Sequence, residues 1–166
     1  MADDQTLGNL MRGDARRYAY NRAMDVVWSA TALESRRFRP TPVRSDPAEL
    51  DSHFRHLLRR RIRGYIEVEV PAVESPQLAI GFRGGYAVIH LLVIAPVEQS
   101  FLLAGDGTVP DEAYVQVPVM DELTRFMGDV VLDVHRAWDL VSAFTRTGQA
   151  SDVGEWHALQ AGPRRS

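Results

Sequence analysis

Between Gly64 and Leu103 the chain leaves its backbone few options. Tyr65-Ile66-Glu67-Val68-Glu69-Val70 alternates with period two and stops at Pro71, the pattern of a strand whose two faces meet different surroundings. Leu78 to Phe82 is a second strand, and Gly84-Gly85 turns it into a third, Tyr86 to Ile94. That third run is apolar nearly throughout, as in a central strand covered on both faces. Gln99 to Leu103 is a fourth, closed by Gly105-Asp106-Gly107. Connections this short favour an antiparallel meander over crossovers. A fifth strand is expected at Tyr114 to Val117.

Two helices flank the strands. Asp46-Pro47-Ala48-Glu49 places a cap, a proline at the first helical position and a carboxylate at the third. Leu50, Phe54, Leu57 and Leu58 follow at helical spacing and leave Asp51, Arg55, Arg59 and Arg60 outside, with Gly64 as the stop. Later, Val134, Ala137, Trp138, Val141 and Phe144 form one apolar face, and Gly148 caps its end. An acidic link with Asp121, Glu122, Asp129 and Asp133 joins the fifth strand to this helix. Val153 and Trp156 add a last edge strand or a packed tail.

Ahead of this region, Asp14 to about Glu34 reads as a helix capped by Asp14, with Tyr18, Ala19, Arg22 and Val26 near one face, although Val26-Val27-Trp28 equally opens a strand. Pro40 and Pro42 mark a connector. The expected organisation is an N-terminal helical extension and linker over residues 1–42, an α+β domain over 43–160 and a disordered tail over 161–166. The expected fold is α+β, an antiparallel sheet of about five strands packed against two amphipathic helices.

Composition removes several chemistries. The 166 residues contain no cysteine, which excludes disulfides, thiolate catalysis and Cys-based zinc sites. The acidic, polar start is no secretory signal, and the longest apolar run, Tyr86 to Val97, is too short for a membrane span, so a cytoplasmic protein without membrane contact is expected. All 19 basic residues are Arg; residues 1–64 hold 13 of them against 8 Asp and Glu, and residues 65–166 hold 6 against 14. Such asymmetry invites a charged partner.

Catalytic and metal signatures are weak. The glycines at 81, 84 and 85 lead into a strand and not into a helix N-terminus, so they make a turn and no phosphate loop. His53 and His56 have ligand spacing but no third ligand nearby, and no metal or cofactor is expected. His90 reads as a hydrogen-bonded core histidine, and Glu67 with Glu69 as the wet face of an edge strand. Arg59 to Arg63 suits the end of a helix dipole better than a nucleic-acid surface. The acidic set Asp106, Asp111, Glu112, Asp121, Glu122, Asp129, Asp133, Asp152 and Glu155 is read as a surface for a basic protein, with Asp106, Asp111, Glu112, Asp129, Asp133, Asp152 and Glu155 as its contacts and Trp156 as an aromatic anchor.

The order of these motifs resembles immunity protein family one of bacterial polymorphic-toxin systems. Ser45-Asp46-Pro47-Ala48-Glu49-Leu50 is similar to that family's S-P-E-E-L helix opening, and Ile66 to Val70 with Leu78-Ala79-Ile80-Gly81 to its paired strands. Phe144-Thr145-Arg146-Thr147-Gly148 followed by Val153-Gly154-Glu155-Trp156 resembles its C-terminal signature. The likeness spans about residues 43–158; a Phe-Pro-Pro stretch frequent in the family is replaced here by Glu122 to Met127, and residues 1–40 have no counterpart. The resemblance implies no catalytic residues. It implies a protein that binds and occludes a cognate toxin, often a nuclease or nucleic-acid deaminase, without itself touching nucleic acid. The alternatives are a scaffold or secretion-chaperone-like module docking through its N-terminal helix, and a small enzyme in which Glu67, Glu69, His90 and His135 converge on a deep pocket. Oligomeric state is left open by the sequence.

Overall fold

A computed structural model of the chain describes residues 25–71, 76–94 and 97–159. The elements run β1 (Val26–Thr31), β2 (Phe38–Ser45), α1 (Pro47–Arg59), β3 (Gly64–Glu69), β4 (Gln77–Arg83), β5 (Tyr86–Val93), β6 (Gln99–Leu103), β7 (Tyr114–Val119), β8 (Glu122–Met127), β9 (Leu132–Asp133), α2 (Val134–Thr147) and β10 (Trp156–Ala158). The class is α+β with a large antiparallel sheet and two helices. The sheet has eight strands where five were expected, in the order β10-β6-β5-β4-β3-β1-β2, with β9 added beside the start of β5.

The meander of β3 to β6 forms as its alternation and turns require, and β10 closes one edge against β6. The other edge corrects the sequence reading. Val26-Val27-Trp28 opens a strand, the alternative to the end of a helix. Residues 26–31 and 38–45 are β1 and β2, so the connector expected at Pro40 and Pro42 is strand and the domain boundary expected at residue 42 falls inside β2. The prolines misled because proline is barred from central strands only. Between the pairs Ala30 with Arg39 and Trp28 with Val43, Ser29 faces three residues, Pro40-Thr41-Pro42. That bulge lies on an outermost strand, where a missing N–H removes no ladder bond. The Ser29 hydroxyl donates to the Pro40 carbonyl at 3.1 Å and holds the bulge to its neighbour. Residues 14–24 of the expected N-terminal helix, and the expected tail at 161–166, lie outside the described residues.

Period two sorts the sheet into two faces. Trp28, Ala30, Ile66, Val68, Leu78, Ile80, Ile89 and Leu91 share one core with Leu50, Phe54 and Leu57 of α1 and Trp138, Val141 and Phe144 of α2. Asp46 caps α1 by accepting the Glu49 N–H at 2.9 Å. The helix ends at Arg59, before the expected stop; Gly64 instead opens β3, where a Cβ would lie 2.6 Å from the Phe82 ring. The opposite face carries Val88 and Leu102, which pack with Val109, Val117, Val130 and Val131 in a second, smaller core. This accounts for the nearly unbroken apolar run of β5, since Ala87, Ile89 and Leu91 face the helices while Val88 faces the other layer.

That other layer is a hairpin. Tyr114 to Val119 does not join the main sheet, and the residues taken for an acidic link, Glu122 to Met127, pair with it as β8. Val119 pairs with Glu122, so Met120 and Asp121 form a two-residue turn, with Met120 at φ 57 as such a turn demands. The hairpin is seated on Gly81, where a Cβ would lie 2.2 Å from the Pro118 carbonyl oxygen. Gly81→Val is therefore expected to lift the hairpin and lower stability by about 1–3 kcal/mol. Chemical denaturation measures this, and wild-type stability in the variant would refute the seating.

Candidate functional site

Backbone hydrogen bonds between loops join the segments that carry Asp106, Asp111, Glu112, Asp129, Asp133 and Glu155 near the open end of the β7–β8 hairpin, whereas Asp121 and Glu122 stand at its tip. Where β6 ends, the Ala104 N–H donates to the Glu155 carbonyl at 2.9 Å, the Gly105 N–H to Asp129 at 2.7 Å and the Asp106 N–H to Val131 at 3.3 Å. The Gly128 N–H donates to the Ala113 carbonyl at 2.9 Å and ties the turn before β9 to the start of β7. These loops approach too closely for side chains. A Cβ on Gly105 would meet the Gly128 and Val131 carbonyl oxygens at 2.7 Å, and one on Gly128 would meet Pro110 oxygen at 2.0 Å. Asp111, Glu112, Asp129, Asp152 and Glu155 are all exposed, Asp129 and Asp152 within single 3-10 turns and the others on loops.

Asp106 and Asp133 have a different task from the binding role assigned to them in the sequence. Asp106 accepts the Thr108 N–H through one oxygen and the Asp133 N–H through the other, both at 3.0 Å. Partial burial works to raise its pKa, but the hydrogen bonds from Thr108, Asp133 and its own N–H outweigh it and hold the carboxyl below its ordinary value. Asp133 caps α2, accepting the His135 and Arg136 N–H groups at 3.0 and 3.1 Å. These two carboxylates add negative charge while their oxygens hold the loops in place. Trp156 is likewise tied down. It is half-buried against the main core, pairs with Leu103, and its Nε1 donates to the Ala150 carbonyl at 2.8 Å.

The exposed aromatic at this end is Tyr114, 52% accessible, with the Arg125 guanidinium 4.0 Å above its ring. Directly across the hairpin lies Met127, 42% accessible. Met127 was missed in the sequence because β8 was taken for a link; the spacing of Leu123, Arg125 and Met127 opposite β7 is the signal that finds it. Tyr114 and Met127 give the acidic end an apolar contact beside Glu112.

The remaining sequence candidates are dispersed. His53 donates Nε2–H to the Thr31 carbonyl at 2.8 Å and packs its ring 5.1 Å from Trp28, while His56 is exposed. Among the described residues no group of three or more His, Asp or Glu is placed to hold a metal ion. Glu67 is not on an edge strand, because β3 lies between β4 and β1, and its carboxylate accepts Gln77 Nε2–H at 2.7 Å. Burial, then the neighbouring Glu67 carboxylate, pushes the Tyr65 phenol above its ordinary pKa. His90 is not the hydrogen-bonded core histidine expected; its Nε2 is buried without a partner among the described residues, and its ring meets Phe126 edge to face at 5.5 Å. His135 stands at the start of α2 and is exposed.

No family model matches the chain, and no curated protein matches it.

Proposed function

We propose that the chain is a non-catalytic immunity protein whose acidic end covers the basic active-site surface of a cognate bacterial toxin, a nuclease or nucleic-acid deaminase, in the cytoplasm of the producing cell. The observation that carries this reading is the hydrogen-bonded loop cluster that bears the exposed carboxylates Asp111, Glu112, Asp129 and Glu155 next to the hairpin end with the exposed pair Tyr114 and Met127. A toxin that acts on nucleic acid needs a basic substrate channel, and carboxylates on a stiff frame offer that channel a competing set of negative charges. Rigidity matters because loops already ordered lose little further entropy when a partner docks. An aromatic side chain ringed by charge is a common anchor of such interfaces. The motif resemblance to immunity protein family one supplies the class of partner.

The test is co-expression with the toxin encoded beside this chain. The wild type should restore growth and retain the toxin on an affinity column. Changing Asp111, Glu112, Asp129, Asp152 and Glu155 together to Lys should weaken binding by about tenfold to a hundredfold, mainly through slower association and loss of its salt dependence. Asp106 and Asp133 are left intact in this variant because they hold the loops. Unchanged affinity after the reversal would sink the acidic-surface mechanism, and failure of the wild type to rescue would sink the role.

A further inference from the structure

At the other end of the β7–β8 hairpin, about 20 Å away for six residues of strand, lies a pocket of opposite charge. The tip of the hairpin, Pro118, Met120 and Asp121, meets the turn between β1 and β2 and the residue before β3. The resulting cavity, about 280 Å³, is lined by Arg36, Arg37 and Arg63 together with Ser35 and Thr31. Arg36, Arg37 and Arg63 are all exposed, and among the described residues none of them has a carboxylate within 4.0 Å.

The pocket is built and not a chance meeting of surface side chains. The Asp121 carboxylate accepts the Phe38 N–H at 2.8 Å, which clips the hairpin tip onto the start of β2. Phe38 in turn packs edge to face on Tyr65 at 5.3 Å. Thr31 Oγ1 accepts the Tyr65 N–H at 2.9 Å and so joins the floor of the pocket to β3. Two residues on its wall, Arg36 at φ 59 and Met120 at φ 57, hold left-handed backbone that non-glycine residues adopt only at a cost of about 1–2 kcal/mol. Strain of this kind persists where the surroundings enforce it, and here it turns Arg36 and the hairpin tip toward one cavity.

We propose that this pocket binds a phosphoryl group. Three guanidinium groups present forked donors that match tetrahedral oxyanions, and against them stands the single carboxylate of Asp121. The net charge of the lining, +2, suits a phosphate dianion better than a carboxylate. Ser35 Oγ accepts the Arg37 N–H at 3.3 Å, which leaves its own O–H free to donate to the ligand. The site uses none of the residues of the acidic end and stands whether or not that reading holds.

The test is calorimetric titration of the full chain at constant ionic strength with inorganic phosphate, phenyl phosphate and acetate. Phosphate should bind about tenfold or more tighter than acetate, and Arg37→Gln and Arg63→Gln should each weaken it about tenfold, the loss expected for one charge-assisted contact. Arg39→Gln should change nothing, because Arg39 lines a separate groove with Trp28 and Val43. Tighter binding of phenyl phosphate than of phosphate supports a phosphate monoester as the ligand, and the reverse order supports free phosphate. Absence of phosphate binding, equal affinity for acetate, or an equal loss on Arg39→Gln would overturn the proposal.

Discussion

Trp138→Ala is expected to lower stability by about 3–5 kcal/mol, and the thermal midpoint by about 10 °C or more. Trp138 is 4% accessible, and its ring stacks on Phe54 with centroids 3.9 Å apart and planes 7° from parallel. This contact joins α2 to α1 directly above the sheet. Its Nε1 also donates to the Asp51 carboxylate at 2.7 Å, and Asp51 further accepts Arg55 Nε–H at 2.8 Å. Partial burial works to raise the Asp51 pKa, but the bonds from Trp138 and Arg55 prevail and lower it. Removing the indole therefore opens a cavity and strips a donor from a carboxylate. Trp138→Phe separates the two effects, since it keeps a ring on Phe54 and loses only the hydrogen bond, with an expected loss of about 1–2 kcal/mol. Urea denaturation measures both. A Trp138→Ala variant within about 1 kcal/mol of wild type would show that the stack carries little of the helix packing.

Stability should also fall by about 3 kcal/mol between pH 6.5 and pH 4, and His90 should be the cause. Burial holds its pKa down, from an ordinary 6.5 to about 4. Above pH 6.5 the residue is neutral in both folded and unfolded chains and contributes no pH dependence. As the pH falls below 6.5 the unfolded chain takes up the proton first, so folding loses ground until the folded state titrates near 4. His90→Leu, which suits an apolar site facing Phe126, should flatten this part of the profile. Because Nε2 has no partner to lose, the variant should be at least as stable as wild type at pH 7. An unchanged slope between pH 6.5 and 4 in His90→Leu would assign the effect to other groups.

The places where sequence reading failed share a physical cause. Period two and period 3.6 are local signals, and they located β3 to β6, α1 and α2 together with their buried stripes. Pro40 and Pro42 were misread because whether a strand tolerates proline depends on its neighbours, and an edge bulge is not visible along the chain. Glu122 to Met127 was misread because its strand is half exposed, with Thr124 and Arg125 among its few apolar residues. For the same reason Met127 and the Arg pocket escaped notice: Arg36, Arg37 and Arg63 lie on two separate segments, and only the hairpin tip makes them neighbours. The motif glycine Gly81 was recognised as part of a pattern, and its reason, the Pro118 carbonyl above it, is tertiary.

The sequence alone determined the class of fold and the buried stripes of β3 to β6 and of the two helices, because alternation and helical spacing state which side of each element avoids water, whereas the core residues of β1 were placed by the structure. It also established the absence of thiol chemistry and the acidic character of the C-terminal half. The tertiary structure decided which charges meet. Asp106, Asp111, Glu112, Asp129, Asp133 and Glu155 lie by the open end of the β7–β8 hairpin, and arginines from the β1–β2 turn and the β3 entry meet Asp121 at its tip, because the hairpin lies across the sheet and links the two. Charge on a loop has no periodicity to reveal its direction, so its partners follow from long-range packing alone.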